Sequence, residues 1–210
     1  MNILKFKKAD LFVRAVACAL VFAAAISLVN FEASCNEIRQ NVLRLHIKAN
    51  SDSESDQQLK LLVRDAILEV SEQVFSGCDS VEKAYTCATD NVALFQETAE
   101  TVIKSNGYEY PVIVDIGTAW FETREYENFT LPAGTYEAVR INIGSGEGKN
   151  WWCVMFPSLC IPSAKPNDAK QVLGEENEKI VSEPNRYEVR FKTVEIFEKL
   201  KQSLSKIFAK

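Results

Sequence analysis

The sequence has few of the residues that form metal sites and no excess of positive charge. It contains one histidine, His46, and its six cysteines form no C-x-x-C pair. A structural zinc site takes four Cys or His ligands at short spacings, so we predict no metal and no cofactor. Asp and Glu outnumber Lys and Arg, 29 to 24, and the formal net charge is -5. Nucleic-acid-binding domains usually carry a basic patch, so we predict no nucleic-acid partner.

A long apolar run occurs only near the N-terminus. Residues 15–29 are apolar except for Ser27, and a basic segment with Lys7, Lys8 and Arg14 precedes them. This order is typical of export signals. A helix of this length measures about 22 Å, less than the ~30 Å hydrocarbon core of a membrane, which favours a signal peptide. No Ala-x-Ala cleavage site follows, so an uncleaved membrane anchor is the alternative for residues 1–35.

Two stretches after the export segment show helical periodicity. Apolar residues between Leu59 and Val74 follow the spacing of one helix face, and a second set runs from Val81 to Ile103. The Ser- and Asp-rich residues 49–53 supply N-caps for the first helix. The sequence therefore predicts two amphipathic helices, within a domain that covers residues 36–163.

Alternating apolar and polar residues predict strands on both sides of these helices. The strands fall at residues 42–47, 110–126, 135–143 and 151–156, and turns separate the last three. Consecutive strands joined by short glycine turns usually form an antiparallel meander. We therefore predict an α+β fold in which the two helices pack on an antiparallel β-meander.

The C-terminal part shows a different pattern. Residues 164–186 contain prolines, acidic residues and few large apolar residues, which predicts a linker or surface loop. Residues 187–194 alternate like a strand. Residues 195–210 predict an amphipathic helix with one apolar side, formed by Phe197, Leu200, Leu204, Ile207 and Phe208. That helix either docks on the domain or contacts an anionic membrane surface.

The segment 148–160, GKNWWCVMFPSLC, raises two chemical possibilities. Cys153 and His46 could be the nucleophile and the base of a secreted thiol hydrolase that acts on the envelope. No family-specific local signature accompanies this pair. Alternatively, the chain bends at Pro157 and brings Cys153 and Cys160 within the range of a disulfide. Such a disulfide would fix the shape of the intervening segment.

A second pair of cysteines lies near the start of the second predicted helix. If that helix begins near Asp79, the helical rise over eight or nine residues places Cys78 and Cys87 about 12–13 Å apart. This distance is too long for a disulfide. We therefore predict that these two cysteines do not pair.

Three longer stretches carry a recognisable pattern. They read LRLHIKANSDSESDQQLKLLVRDAILE (43–69), YPVIVDIGTAWFETREYENFTLPAGTYEAVRINIGSGEGKNWWCVMFPSLC (110–160) and YEVRFKTVEIFEKL (187–200). Together they resemble the stage II sporulation protein R family. The resemblance covers residues 38–163, and it is weaker at 187–200.

The resemblance implies a function that the residue pattern alone does not. Members of this family are made in the forespore of endospore-forming bacteria and exported across its membrane into the intermembrane space. There they activate a membrane-embedded aspartic protease of the opposing mother-cell membrane, which processes the precursor of sigma-E. We therefore expect an exported signalling protein, either secreted or anchored at its N-terminus, that is not an enzyme and whose partner is that protease.

The tryptophan pair is the first candidate for a partner contact. Trp151 and Trp152 alternate within a predicted strand, so one side chain faces the core and the other faces the surface. Tryptophan and arginine are frequent among the residues that dominate binding energy. We predict that one of the two is an interface anchor, with Arg44, His46 and Asp52 as weaker candidates. The alternative is that both tryptophans are core residues.

Overall fold

The computed structural model describes residues 3–126, 129–157 and 173–208, and the fold is α+β, as predicted. Within these residues the helices are α1 (Ile3–Gln40), α2 (Glu54–Val74), α3 (Val81–Asp90), α4 (Val92–Ser105), α5 (Glu175–Ser182) and α6 (Pro184–Phe208). The strands are β1 (Leu43–Lys48), β2 (Val112–Phe121), β3 (Arg124–Glu125), β4 (Thr130–Leu131), β5 (Gly134–Ile143) and β6 (Asn150–Phe156).

Four strands form the central sheet in the order β2-β5-β1-β6. β1 pairs parallel with β5, whereas the β2–β5 and β1–β6 pairs are antiparallel. The sheet is mostly antiparallel, as predicted, but the meander is wrong in its connectivity, because β1 lies between β5 and β6. The physical reason is that both faces of β1 are buried from Leu43 to Ile47. A strand buried on both faces belongs in the interior of a sheet.

One face of the sheet packs against α2, α3 and α4, and we call it the helix-covered face. It receives alternate residues of each strand, among them Leu45, Val139 and Cys153. The helices bury residues at helical spacing, including Leu59, Val63 and Ile67 of α2, Ala84 and Ala88 of α3, and Phe95, Ala99 and Ile103 of α4. The second predicted helix is divided at Asn91. Its side-chain amide donates to Cys87 O at 2.8 Å and competes with the backbone for that carbonyl.

The opposite face is covered in part. The C-terminal end of α1 packs on it together with α5 and α6. These elements bury a second cluster, which includes Phe31, Cys35, Ile38, Phe121, Tyr136, Ile180 and Phe191. Arg39 joins the layers, because its Nη1 donates to Ala133 O at 2.9 Å and its Nη2 lies 2.5 Å from Glu32 Oε1. The end of α1 is therefore part of the folded domain.

Residues 187–194 belong to α6, so the predicted C-terminal strand is wrong. Pro184 begins this helix, at a position that needs no backbone N–H. Phe191 and Val194 are buried three residues apart, and Glu188 and Lys192 form an i,i+4 ion pair on the exposed side. The apolar residues of this segment fit a helical period as well as an alternating one, and packing against α1 selects the helix.

α6 docks on the domain through residues such as Phe191 that precede the predicted helix of residues 195–210. The choice between docking and membrane contact for the apolar side of that helix stays a prediction. The ring of Phe191 meets the ring of Phe31 edge-on, with 5.4 Å between the centroids. The docked side differs from the predicted one, since Phe197 and Leu200 are 55% and 58% exposed. Within the predicted linker 164–186, α5 and the first residues of α6 account for most of the described residues, and residues 164–172 lie outside the described residues.

The loop after β1 interlocks with the turn between β5 and β6. Asn50 Oδ1 accepts from Ser145 N at 3.0 Å, and Asp52 Oδ1 accepts from Lys149 N at 2.7 Å. Gly148 completes the close approach, because a Cβ atom on it would lie 2.2 Å from Ser51 O. The stretches ANSDS and GSGEGK, distant in sequence, thus meet in space.

A buried carboxylate holds this interlock to α2. Asp56 is 4% exposed and accepts from Ser51 Oγ at 2.6 Å and from Asn50 Nδ2 at 2.9 Å. The hydrogen bond from Ser51 lowers the pKa of Asp56 below its ordinary value. Ser53 caps the helix as predicted, since its hydroxyl accepts from Asp56 N.

The interlock predicts the effect of alanine at two glycines of the same turn. We expect Gly148→Ala to destabilise the protein by about 3 kcal/mol, because its Cβ would overlap the backbone at Ser51. Gly146→Ala is the matched control. Its Cβ meets nothing closer than 3.7 Å, so it costs only the left-handed backbone strain, about 1 kcal/mol. Thermal unfolding of the full chain in detergent measures the stability of both variants. Equal losses of stability in the two variants would contradict the close approach of Gly148 to Ser51.

Candidate functional site

The candidate site is the part of the second sheet face that α1, α5 and α6 leave uncovered, and we call it the open face. Alternate residues of all four strands form it: Ile113, Asp115 and Gly117 of β2, Arg140 and Asn142 of β5, His46 and Lys48 of β1, and Asn150 and Trp152 of β6. Most are exposed or half-buried, and Ile113 is 63% exposed. The open face therefore presents apolar, aromatic and charged groups to the surroundings.

His46 and Trp152 form a stacked aromatic platform on the open face. They lie opposite each other on β1 and β6, with 3.9 Å between the ring centroids and 8° between the ring planes. The edge of Phe121 meets Trp152 at 4.8 Å between centroids. Cross-strand aromatic pairs of this kind stabilise neighbouring strands.

The environment of His46 keeps its imidazole neutral. Burial lowers the pKa of His46 below its ordinary value of 6.5, and the hydrogen bond with Asn150 opposes this shift. His46 Nε2 lies 2.9 Å from Asn150 Oδ1. In the neutral ring Nε2 carries the proton and donates it to Asn150, which fixes the ring beside Trp152.

An ion pair lies on the open face on the two strands farther from Trp152. Asp115 and Arg140 are directly opposed on β2 and β5, and Asp115 Oδ2 contacts Arg140 Nη2. The side chains are 41% and 35% exposed, so solvent screens their attraction and the pair adds little stability. Exposed charges of both signs give a partner orientation more than affinity.

Trp151 and Trp152 point to opposite faces of the sheet, as predicted, but both are half-buried and each packs against a core cluster, so the structure does not divide them into a core and a surface residue. Trp151 lies on the helix-covered face. Its ring packs against the helix-side core, and the guanidinium carbon of Arg64 lies 4.5 Å from the ring centroid. Trp152 is the tryptophan of the open face. Its role as an interface anchor stays a prediction.

Arg44 is fully buried, with no exposed surface. Its guanidinium carbon lies 4.2 Å from the ring centroid of Phe121 and 5.0 Å from that of Tyr136. Arg44 Nε donates to Cys153 O at 3.0 Å, and Nη2 donates to Tyr126 OH at 2.7 Å. This position lets Arg44 support the platform through Phe121, and a direct contact of Arg44 with a partner stays a prediction.

Asp52 lies at the end of the open strands and belongs to the interlock. Its side chain is exposed, and its carboxylate accepts from the backbone N–H of Lys149. That bond positions the residues just before Asn150 of β6. A role of Asp52 in partner binding stays a prediction.

The predicted thiol pair is not assembled. Cys153 lies opposite Leu45 and points to the helix-covered face, whereas His46 points to the open face. Cys153 is 2% exposed, so the site gives no support to a Cys–His hydrolase. The disulfide with Cys160 stays a prediction, since Cys160 lies outside the described residues. Within the described ranges, no three His, Cys, Asp or Glu side chains are placed to hold a metal ion.

Comparison with known proteins assigns the chain to a family. The family described as Stage II sporulation protein R matches residues 39–166, which include the whole open face and both interlocked loops. The chain belongs to the stage II sporulation protein R family. The protein "Stage II sporulation protein R" of Bacillus subtilis (strain 168) is 34% identical over 152 residues, which are 70% of this chain and 68% of that protein. No solved structure matches.

Seven of the nine residues of the open face were not among the predicted site residues: Lys48, Ile113, Asp115, Gly117, Arg140, Asn142 and Asn150. Sequence gives a partial signal for two of them, because Asp115 and Arg140 are isolated charges within apolar strands. The signal does not show that the charges oppose each other. Only the register of β2 against β5, which no local pattern sets, brings this pair together.

The pH dependence of stability tests the buried state of His46. Because its folded pKa lies below 6.5, the unfolded state binds protons more readily as the pH falls. The contribution of the neutral His46 ring to the stability of the folded protein is complete above pH 6.5. It is lost as the pH falls through the folded pKa. We expect the unfolding temperature of the full chain to fall between about pH 7 and pH 5, and His46→Gln to flatten this slope.

The absence of other histidines makes this test specific. His46 is the only histidine, so carboxylates account for any slope that remains in His46→Gln. An unchanged slope in this variant would show that His46 is not held neutral by the fold.

Proposed function

We propose that this protein is an exported signalling protein of sporulation whose open face activates a membrane-embedded aspartic protease. That protease, in the mother-cell membrane, then processes the precursor of sigma-E. Family membership, the apolar helix α1 and the chemistry of the open face support the proposal. In this role the protein is a ligand and not a catalyst.

The open face is the observation that carries the proposal. A half-buried tryptophan, Trp152, and an exposed isoleucine, Ile113, lie on the open face together with an ion pair. Aromatic residues surrounded by polar groups are common where partners bind. Because the platform is already held by His46, Phe121 and the neighbouring strands, little conformational freedom is lost on binding.

Helix α1 supports a location at the forespore membrane. Apolar side chains from Leu11 to Val29 are exposed, and α1 is long and apolar enough to span a membrane. Residues 11–29 form about 28 Å of helix, which matches the ~30 Å hydrocarbon core better than residues 15–29 alone. The basic residues before this segment favour a cytoplasmic N-terminus, so the domain would lie in the intermembrane space.

The contacts just beyond this segment favour a retained anchor over a cleaved signal peptide. Phe31 is 3% exposed, and its ring stacks on that of Tyr187 with 5.7 Å between centroids. Glu32 forms an ion pair with Arg39. Cleavage after Ala33 would remove both Phe31 and Glu32 from the folded domain. We therefore include in the proposal that the domain stays attached to the forespore membrane.

A reconstituted processing assay tests the open face. The full chain, the candidate protease and the sigma-E precursor are produced together in a host that does not sporulate, and precursor size is followed by immunoblot. We expect Gly117→Val to slow processing at least tenfold, a loss of about 1.4 kcal/mol of binding. The added side chain projects from the open face, and its Cβ meets nothing closer than the Arg140 side chain at 3.5 Å, so the backbone does not obstruct it.

The next residue of β2 provides the matched control. Thr118→Val introduces the same side chain on the same strand, but on the other face of the sheet. We expect normal processing with this variant. Both variants must also show wild-type amounts and wild-type unfolding temperatures. Normal processing by folded, exported Gly117→Val would exclude the open face as the contact surface.

Retention of α1 is tested by following both ends of the chain. With an epitope tag at each end, we expect a single species that carries both tags and sediments with the membranes. Phe31→Ala is the informative variant, since it creates an Ala-Glu-Ala sequence at residues 31–33 and removes a core contact. It should be cleaved at least partly. Loss of the N-terminal tag from the wild-type chain would show a cleaved signal peptide.

A further inference from the structure

Cys78 and Cys87 are in contact where α2 and α3 meet. Their Sγ atoms lie 3.2 Å apart, and both side chains are half-buried. Cys78 precedes α3, and Cys87 lies within it. Contact between two thiols nine positions apart is not expected along one straight helix, so the chain must fold back before α3.

The turn after α2 explains the contact and corrects the predicted distance. Gly77 adopts a positive φ of 87°, and Cys78 N donates to Phe75 O at 3.0 Å. α3 begins only at Val81. The separation of about 12–13 Å, which assumes that Cys78 lies on the axis of the second helix, is therefore wrong.

We propose that Cys78 and Cys87 form a disulfide in the exported protein. The proposal rests on the proposed export, since disulfides persist outside the cytoplasm and not inside it. The two thiols lose two protons and two electrons as the S–S bond forms. The electrons pass to the disulfide of an extracytoplasmic thiol–disulfide oxidoreductase, whose own S–S bond breaks and which takes up the two protons as two thiols.

The need for such an oxidant follows from the environment of Cys78. Burial, together with the adjacent Cys87 thiol, raises the pKa of Cys78 to about 11. The thiolate is the reactive form in disulfide exchange, and little of it exists at Cys78 near neutral pH. Attack by Cys78 is therefore slow with any oxidant, so we expect the bond to form during export only with a catalyst of thiol–disulfide exchange.

The disulfide would hold α3 in its place beneath the sheet. α3 packs on β1, and its residues Ala84 and Ala88 are completely buried. Closing the short ring between Cys78 and Cys87 restricts the unfolded chain. We expect its loss to lower the unfolding temperature by about 5–10 °C.

Peptide mapping of the exported chain tests the proposal. Lys83 lies between the two cysteines, so trypsin places them on separate peptides, residues 65–83 and 84–104. Cells that make the full chain are quenched with acid, and free thiols are blocked with N-ethylmaleimide before digestion. We expect the two peptides to remain linked until a reductant is added. Protease added outside intact protoplasts reports, in the same cells, whether the domain is exported.

The peptide map decides whether the disulfide forms, and the protease treatment decides whether the domain is exported. Linked peptides in a protease-sensitive domain support both the disulfide and export. Separate, alkylated peptides in a protease-sensitive domain overturn the disulfide and leave export standing. Linked peptides in a protected domain support the disulfide and overturn export. Separate peptides in a protected domain overturn both.

Unfolding temperatures give an independent measurement. We expect the unfolding temperature to fall by the same amount in Cys78→Ser, in Cys87→Ser and in the double variant, because each removes the same bond. Reductant should lower the unfolding temperature of the wild-type chain by at least this amount, and any shift that it still causes in the double variant reports the predicted Cys153–Cys160 bond. Cys18→Ser, on the exposed part of α1, is the control and should match the wild type. A wild-type unfolding temperature that does not respond to reductant would contradict the disulfide.

Discussion

Strand β1 pairs with two strands that come much later in the chain, and its register decides what both faces of the sheet contain. Leu43 lies opposite Glu137 on β5 and opposite Phe156 on β6. The apolar residues of β1 face the helices, whereas Arg44 and His46 face the other side of the sheet. Because side chains alternate along a strand, a shift by one residue would exchange these two sets. The guanidinium group would then enter the apolar helix layer, at a cost of several kcal/mol.

The buried charge of Arg44 shows how this register is stabilised. Within the described residues it has no carboxylate partner, and its Nη1 has no hydrogen bond. Aromatic rings and two hydrogen bonds replace the water that the guanidinium loses, and cation–π contacts gain strength when they are desolvated. Phe121 lies between Arg44 and Trp152. The same ring therefore connects the layer formed by α1 and α6 to the platform of the open face.

Local features of this fold were predictable, and features that depend on distant pairing were not. The strand at β1, the Ser53 cap and the opposite orientation of the two tryptophans follow from alternation and capping, which are properties of neighbouring residues. The insertion of β1 between β5 and β6 depends on contacts across the whole domain. The segment 187–194 fits two periods, and only its burial against α1 decides between them. The contact of Cys78 with Cys87 depends on a single turn at Gly77 that the helical pattern does not reveal.

The interlocked loops explain why the open face is preformed. Asn50 and Asp52 hold the turn that leads into β6, and Asp56 anchors the loop to α2. The two loops thus fix the ends of β1 and β6, the strands that carry His46 and Trp152. A substitution in the interlock can therefore change the open face without touching it, through the register of these strands. A surface that is held in this way binds with little reorganisation, as the proposed signalling role requires.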